Sequence, residues 1–356
     1  MRAVFAIPGD LASLTGGYAY DREVLARAPA FGVEIAHLPL PQGFPAPSPE
    51  DLRETERLLR GVDSDTALLI DGLAFGAFTP GLLRVLPVKT IALVHHPLAL
   101  ETGLSAADAQ RLASSERLAL SHAAHVIVTS PSTRRTLVAD YGVAAENISV
   151  AIPGVARAPR ARGSKGAPHL LAVGSVTPRK GHDVLVDALA AIANVDWRLT
   201  IAGSLAWAPD HARSLAAKVE AAGLSKRVDL AGLVDDSALQ ALYSSADIFV
   251  MPSLYEGYGM ALAEAMVRGL PIVATTGGAA AETLPTGAAL KVAPGDPVAL
   301  RDALSRLVSD ARLRTQLANA AWEAGQALPS WDDTARNVAG VLARIAADKS
   351  AEGTGA

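Results

Sequence analysis

The sequence predicts an α/β protein organised as two domains, and three observations lead there. Short apolar runs of strand type alternate along the chain with segments of helical period. Several of these runs end in a glycine-bearing turn that opens directly into a helix, which is the repeating unit of βαβ folds. Between residues 156 and 167 the alternation stops. There Arg157-Ala-Pro-Arg-Ala-Arg-Gly-Ser-Lys-Gly166 is basic, rich in Pro and Gly and without apolar period, so it reads as a flexible linker. Domains are expected at 1–155 and 168–330, with 331–356 as a closing helix and a disordered tail.

Composition narrows the class. At 356 residues the chain is long enough for two separate cores. Half of the residues are apolar, yet no uncharged apolar stretch reaches the roughly 18 residues of a membrane span. The opening run Ala3-Val-Phe-Ala-Ile7 breaks at Pro8-Gly9-Asp10, too soon for a signal peptide. Cysteine is absent, which excludes disulfide and thiolate chemistry and fits a cytoplasmic protein. A net charge of −4 with no basic stripe argues against a nucleic-acid partner. The histidines show no ligand spacing such as H-E-x-x-H, so no metal site is expected.

In the first half, residues 2–7 form a buried strand that leads through Gly16-Gly17 into a helix over 19–28. A Gly-Gly turn at that place either cradles a phosphate, because no Cβ keeps the backbone N–H groups away, or is a plain turn. A strand is expected at 33–38, a loop with five prolines at 39–49, a helix at 51–59 and a strand at 66–70 ending in Asp71-Gly72. The strand over 89–94 runs straight into His95-His96-Pro97. Pro97 keeps His96 out of helical geometry and leaves both imidazoles at the strand's end. With an ordinary pKa near 6.5, such a histidine polarises or deprotonates an acceptor hydroxyl. His95 is preferred as the first residue beyond the apolar run, with His96 the alternate. An amphipathic helix over 106–121 is expected to expose Arg111, Glu116 and Arg117. A strand over 125–130 precedes a helix capped by Ser130 or Ser132, whose Arg134 and Arg135 are solvated or meet a phosphate or lipid head group. Residues 149–154 read as the last strand of this half.

In the second half, the strand over 169–173 feeds Gly174-Ser-Val-Thr-Pro-Arg-Lys-Gly181 and a helix over 182–192, which places Arg179 and Lys180 at a helix start. Strands follow at 197–202 and 227–234, the latter ending in Leu233 and Val234, with helices at 210–222 and 238–244. Then comes an apolar strand at 246–251, a glycine loop Glu256-Gly-Tyr-Gly259, a helix from Met260 closed by Gly269, and a strand at 270–274. Thr276-Gly-Gly makes another turn, and Pro294-Gly-Asp-Pro297 precedes two closing helices. The last, over 334–347, is expected to cross back to the first domain. Glu256 and Glu264 mark the central unit. Eight residues of helix advance ~12 Å and turn ~80°. Two acids so placed suit opposite ends of one elongated polar ligand, with an anion held by the free N–H groups at the helix start. Vicinal hydroxyls at each end and phosphate between describe a nucleotide sugar.

The stretch from Pro252-Ser253 through Glu256, Gly257, Gly259 and Glu264 to Gly269 and Pro271 resembles the E-x7-E segment of retaining glycosyltransferases of family 4. Gly174 to Gly181 is similar to that family's G-x-x-x-x-x-K-G, although Ser175 stands where many relatives have Arg. The resemblance extends over essentially the whole chain and implies the GT-B fold, two Rossmann-like domains facing across a cleft. It implies that Glu256 faces the donor sugar and Glu264 the nucleotide ribose, with Gly257, Tyr258, Gly259 and Met260 between them. It further implies that Lys180 contacts the donor diphosphate, with Arg179 standing in for the Arg missing at Ser175. Gly16 and Gly17 then lie beside the same diphosphate, Leu233 and Val234 meet the nucleobase, and His95 serves the acceptor side. The implied reaction moves a sugar from a nucleotide-diphosphate sugar to a hydroxyl of a glycan, lipid or small molecule, with retention and without metal or cofactor. A lipid-linked acceptor would bring peripheral contact with the inner face of a membrane. The rival readings are a nucleotide-sugar epimerase or phosphorylase on the same scaffold, and a degenerate, non-catalytic partner subunit.

Overall fold

The short apolar runs become strands buried on both faces, as parallel sheets covered by helices require. The computed structural model describes residues 1–87 and 90–352. The first strand set is β1 (Arg2–Pro8), β2 (Glu34–Leu40), β3 (Ala67–Asp71), β4 (Thr90–Val94), β5 (His125–Val128) and β6 (Ile148–Val150). These pair in parallel in the order β2-β1-β3-β4-β5-β6. Every residue of β3 and β4 is buried. Side chains alternate between the two faces with the strand period of two. Leu68, Ile70, Ala92, Val94 and Val126 pack with Phe75, Phe78 and Leu137. On the opposite face Phe5, Ile7, Leu69, Ile91 and Leu93 pack with Tyr20, Val338, Leu342 and Ile345.

The second set is β7 (His169–Val173), β8 (Arg198–Ala202), β9 (Val228–Gly232), β10 (Ile248–Met251), β11 (Ile272–Thr275) and β12 (Ala289–Val292). Their order is β12-β11-β10-β7-β8-β9, again all parallel. The chain divides into two compact units, Met1–Gly154 with Pro329–Ala356, and Val155–Leu328. Each sheet therefore has a point where the strand order reverses, between β1 and β3 in one and between β7 and β10 in the other. Ligands bind at the carboxyl ends of the strands at such points.

The closing helix Trp331–Glu352 does pack on the first unit, against the Gly16–Arg27 helix, and Thr334 donates to the Ile152 carbonyl at 2.7 Å. Residue 89, the expected start of β4, and the tail from 353 lie outside the described residues. Four expectations need correction. Among the described residues three helices follow Asp296, not two: Pro297–Ser309, Ala311–Gln326 and Trp331–Glu352. Gly16 and Gly17 are not a turn but the first residues of the Gly16–Arg27 helix, because Thr15 accepts from the Tyr18 N–H and caps it there. Glu116 is not exposed. It is buried on the Ala106–Leu120 helix, where Oε2 accepts from the Leu98 N–H at 2.9 Å, and burial pushes its carboxyl up to about 8. Finally, the basic stretch after residue 156 is no free tether. Arg157 donates to the carbonyls of Gly325 and Leu328, Arg160 lies over Trp322 at 4.8 Å, and the Ala161 N–H donates to the Arg268 carbonyl at 2.9 Å. Arg157 thus satisfies carbonyls at the end of a helix, which composition alone does not reveal.

Candidate active site

The pairing of β7 with β10 brings two distant loops together. Past β7 lies Gly174–Gly181, and past β10 the loop that carries Glu256. Lys180 Nζ donates to Glu256 Oε1 at 2.6 Å, and Arg179 Nη1 stands 3.6 Å from Oε2. Arg179 also donates to the Tyr255 carbonyl at 2.9 Å, while its own carbonyl accepts from the Leu254 N–H at 2.7 Å. Glu256 is only 6% exposed. Burial works to raise its pKa, but the Lys180 charge, and after it that of Arg179, hold the carboxyl down at about 2. Glycine permits this closeness. Gly181 has φ +63°, and a Cβ there would run into the Pro252 carbonyl oxygen. The Thr276-Gly-Gly turn has a purpose of the same kind. Gly278 bridges Glu256, whose N–H donates to the Gly277 carbonyl at 3.2 Å and whose carbonyl accepts from Ala279 at 2.8 Å.

Two helices start at this spot without a side-chain cap, His182–Ala190 after Gly181 and Met260–Met266 after Gly259. Their first N–H groups, with Lys180 and Arg179, make an electropositive setting suited to an anion. Glu264 lies on the second of these helices and has a different partner from Glu256. The Tyr243 hydroxyl donates to its Oε2 at 2.7 Å, and burial raises its pKa against the opposing effects of Tyr243 and Arg268. Arg268 in turn lies over the Tyr243 ring at 4.5 Å.

In the first unit, His95 follows β4. Its Nε2 is 3.3 Å from Asp21 Oδ1 and 3.5 Å from Asp71 Oδ2. Donor atoms of the three residues all lie within 4.8 Å of one another. Asp21 comes from the Gly16–Arg27 helix and is 0% exposed; Asp71 ends β3 and caps the next helix by accepting from the Leu73 N–H. Burial alone would lower the His95 pKa. Hydrogen bonds to Asp21 and Asp71, reinforced by their charges, lift it instead to about 10. The two carboxylates thus favour the protonated imidazole, the form that polarises a hydroxyl by donating to it. His96 Nε2 lies 3.4 Å from Glu101 Oε2.

Both halves of the chain match known families. Residues 9–154 match the model described as a glycosyl transferase 4-like domain, and residues 167–310 the one described as glycosyl transferases group 1. The chain belongs to the group 1 glycosyltransferases. A D-inositol 3-phosphate glycosyltransferase of Arthrobacter sp. (strain FB24) is 33% identical over 215 residues, 56% of this chain and 51% of the relative, so the chain spans about half of that protein's length. An MMP alpha-(1->4)-mannosyltransferase of Mycolicibacterium hassiacum is 27% identical over 328 residues, 86% of this chain and 78% of the relative. Among solved structures, a sucrose-phosphate synthase of Thermosynechococcus elongatus superposes with a TM-score of 0.83 at 22% identity, covering 98% of this chain and 100% of that one. At that identity the likeness is one of fold, and the fold is GT-B.

Within this glycosyltransferase frame, the structure brings Lys180, Arg179 and Glu256 together and sets Glu264 apart with Tyr243. Gly257 and Met260 are half-buried around the helix start, whereas the Tyr258 ring is buried and its hydroxyl is pushed up to about 12 by burial. What Tyr258 has to offer a ligand is backbone. Leu233 and Val234 follow β9, with Leu233 60% exposed, and Trp207 beyond β8 is 53% exposed. Arg134 donates to the Ala145 carbonyl at 2.9 Å. Sequence reasoning missed Asp21, Asp71 and Tyr243. For Asp21 a signal existed: it falls with Tyr20 and Val24 on the buried stripe of its helix, where an acid is out of place.

Proposed function

We propose that this chain transfers a sugar from a nucleotide-diphosphate sugar to a hydroxyl acceptor, with retention at the anomeric carbon. The observation that carries this reading is the Lys180–Glu256 pair with Arg179, built from two loops at the reversal point of the second sheet. Lys180, Arg179 and the two uncapped helix starts form a preorganised cationic receptor for a departing diphosphate. Glu256, held ionised, accepts hydrogen bonds from hydroxyls of the donor sugar, and Glu264 with Tyr243 holds the ribose. Gly16 and Gly17 offer backbone N–H groups of a helix start to an anion, and the loop of Leu233 and Val234 receives the base. Two cations at the diphosphate supply the charge a divalent ion would bring, so the reaction proceeds without metal or cofactor.

His95, as a cation, orients an oxygen of the acceptor by donating to it. Neither His95 nor Glu256 is then free to act as a base near neutrality. The bond from the anomeric carbon to the diphosphate oxygen breaks, a new bond forms to the acceptor oxygen, and the acceptor's proton leaves on the diphosphate. Among the described residues no helix is long and apolar enough to cross a membrane. A place in the cytoplasm, at the membrane's inner face where the acceptor is lipid-linked, goes with this reading and is checked by cell fractionation.

The test is incubation of the purified chain with a panel of nucleotide sugars and hydroxyl acceptors, in EDTA, followed by NMR of the products. The expected outcome is nucleoside diphosphate and a glycoside with the donor's anomeric configuration. An epimerised nucleotide sugar, a sugar phosphate formed only with inorganic phosphate, or an inverted product would overturn it. Donor binding without any turnover would support the non-catalytic rival.

A further inference from the structure

Asp21 and Asp71 have no part in the transfer as described, yet both carboxylates are buried beside His95. A buried carboxylate is costly unless a positive charge or hydrogen-bond donors face it. Asp71 has the Leu73 N–H at 2.7 Å through Oδ1, and its Oδ2 turns to His95. Asp21 has His95 Nε2 on Oδ1, and its Oδ2 is buried with no hydrogen-bond partner. The remaining groups around the imidazole provide no competing charge. The Tyr20 ring meets it edge-on at 5.2 Å, and Thr129 donates to the His95 carbonyl at 3.1 Å. Tyr18 places its hydroxyl on the Pro8 carbonyl and is pushed up to about 12, first by burial and then by Asp71, Asp21 and Asp10. Carboxylates only accept, so Nε2 carries a proton in this arrangement, and Nδ1 is the ring nitrogen left for a ligand.

We propose that Asp21 and Asp71 are positioning residues that clamp His95 through Nε2 from two sides, fix its ring, and make it a permanent cation that donates from Nδ1 and never takes a proton in the cycle. The clamp draws on three elements, the first helix, the end of β3 and the end of β4, which meet at the reversal point of the first sheet. The lift of the His95 pKa to about 10 agrees with this geometry, as does the lowering effect of His95 on Asp21, which burial first and Asp71 after it otherwise raise to about 7. A group whose folded pKa is raised stays protonated until the pH approaches that value. In the intact chain the imidazolium therefore persists across the neutral range. The inference rests on the assignment of His95 to the acceptor made above.

The test is histidine-selective 15N NMR of the whole chain across pH 6–10, with the His95 signals identified by their loss in His95→Gln, alongside the pH profile of kcat and KM. The expected result is a doubly protonated His95 at pH 8 in the wild type. In Asp71→Asn and Asp21→Asn its titration should move down by about 1–3 pH units, and the alkaline fall of kcat should move with it. Asn at 71 keeps an oxygen for the Leu73 N–H, so this variant retains the helix cap and reports on charge alone; it carries the test if Asp21→Asn does not fold. A neutral His95 at pH 8 in the wild type, or an unchanged titration in Asp71→Asn, would overturn the clamp. Full activity in His95→Gln with the NMR result as expected would leave the clamp standing and overturn the acceptor assignment instead.

Discussion

Breaking the Lys180–Glu256 pair is expected to cost stability in a way that only a coupled pair does. The two groups meet at 2.6 Å with side chains 17% and 8% exposed, and Arg179 adds a weaker contact at 3.6 Å. Holding the Glu256 pKa at about 2, against its ordinary value of 4.5, corresponds to about 3 kcal/mol in favour of the charged form. For a depressed acid the sign is plain. This stabilisation is fully present above pH 4.5 and is lost as the pH falls toward 2. At pH 7.5, Lys180→Met leaves a buried carboxylate with Arg179 alone, and Glu256→Gln leaves two cations without their carboxylate. Each should cost about 2–4 kcal/mol, somewhat below the range for fully buried pairs because Arg179 and partial exposure soften the loss. In the double variant no charge is stranded by the missing lysine, so its cost should fall short of the two single costs together by at least about 1.5 kcal/mol. Urea unfolding followed by tryptophan fluorescence measures this, since Trp197, Trp207 and Trp322 all lie in the unit concerned. Additivity within about 0.5 kcal/mol would show that Lys180 and Glu256 are independent and would remove the structural basis of the donor site.

The two glutamates should separate in binding: calorimetry is expected to show Glu264→Gln weakening the bare nucleoside diphosphate by roughly 10- to 150-fold, as for a lost charged hydrogen bond, and Glu256→Gln leaving it within about twofold. Equal effects would refute the assignment of Glu264 and Glu256 to opposite ends of the donor. Gly181→Ala forces a Cβ into the left-handed region, at about 1–2 kcal/mol, and against the Pro252 carbonyl. A clear drop in Tm together with weaker diphosphate binding is expected, and an unchanged Tm would mean that the loop relaxes freely. Glu116 is a raised acid, so its stabilisation holds below its ordinary pKa and is lost as the pH rises through about 8. Glu116→Gln should therefore raise Tm more at pH 8.5 than at pH 5, and an equal change at both would show that Glu116 ionises freely in the fold.

Most strands and helices of this chain were legible because apolar periodicity is a local property. Residues 169–173 read as a strand from their own run of side chains, and Glu256-Gly-Tyr-Gly259 as a loop from its own glycines. The shortfalls arose where a residue's surroundings come from elsewhere. Gly16-Gly17 looks like a turn until Thr15 is seen to cap a helix there, and Glu116 looks solvated until Leu98 and its backbone N–H are placed over it. The linker's Arg157 looks free until the carbonyls of Gly325 and Leu328 meet it.

The sequence by itself determined that the chain is α/β and that its βα alternation stops after residue 155, because apolar periodicity is a property of a few turns of chain. It made Lys180, Glu256 and Glu264 candidates for a donor site through the family pattern they resemble. Only the tertiary structure decided that Lys180 and Glu256 touch, because that depends on β7 lying beside β10. It alone also placed two acids beside His95. A pKa is set by the field at the ring, and that field comes from Asp21 and Asp71, two acids that the order of strands in the first sheet brings to the end of β4.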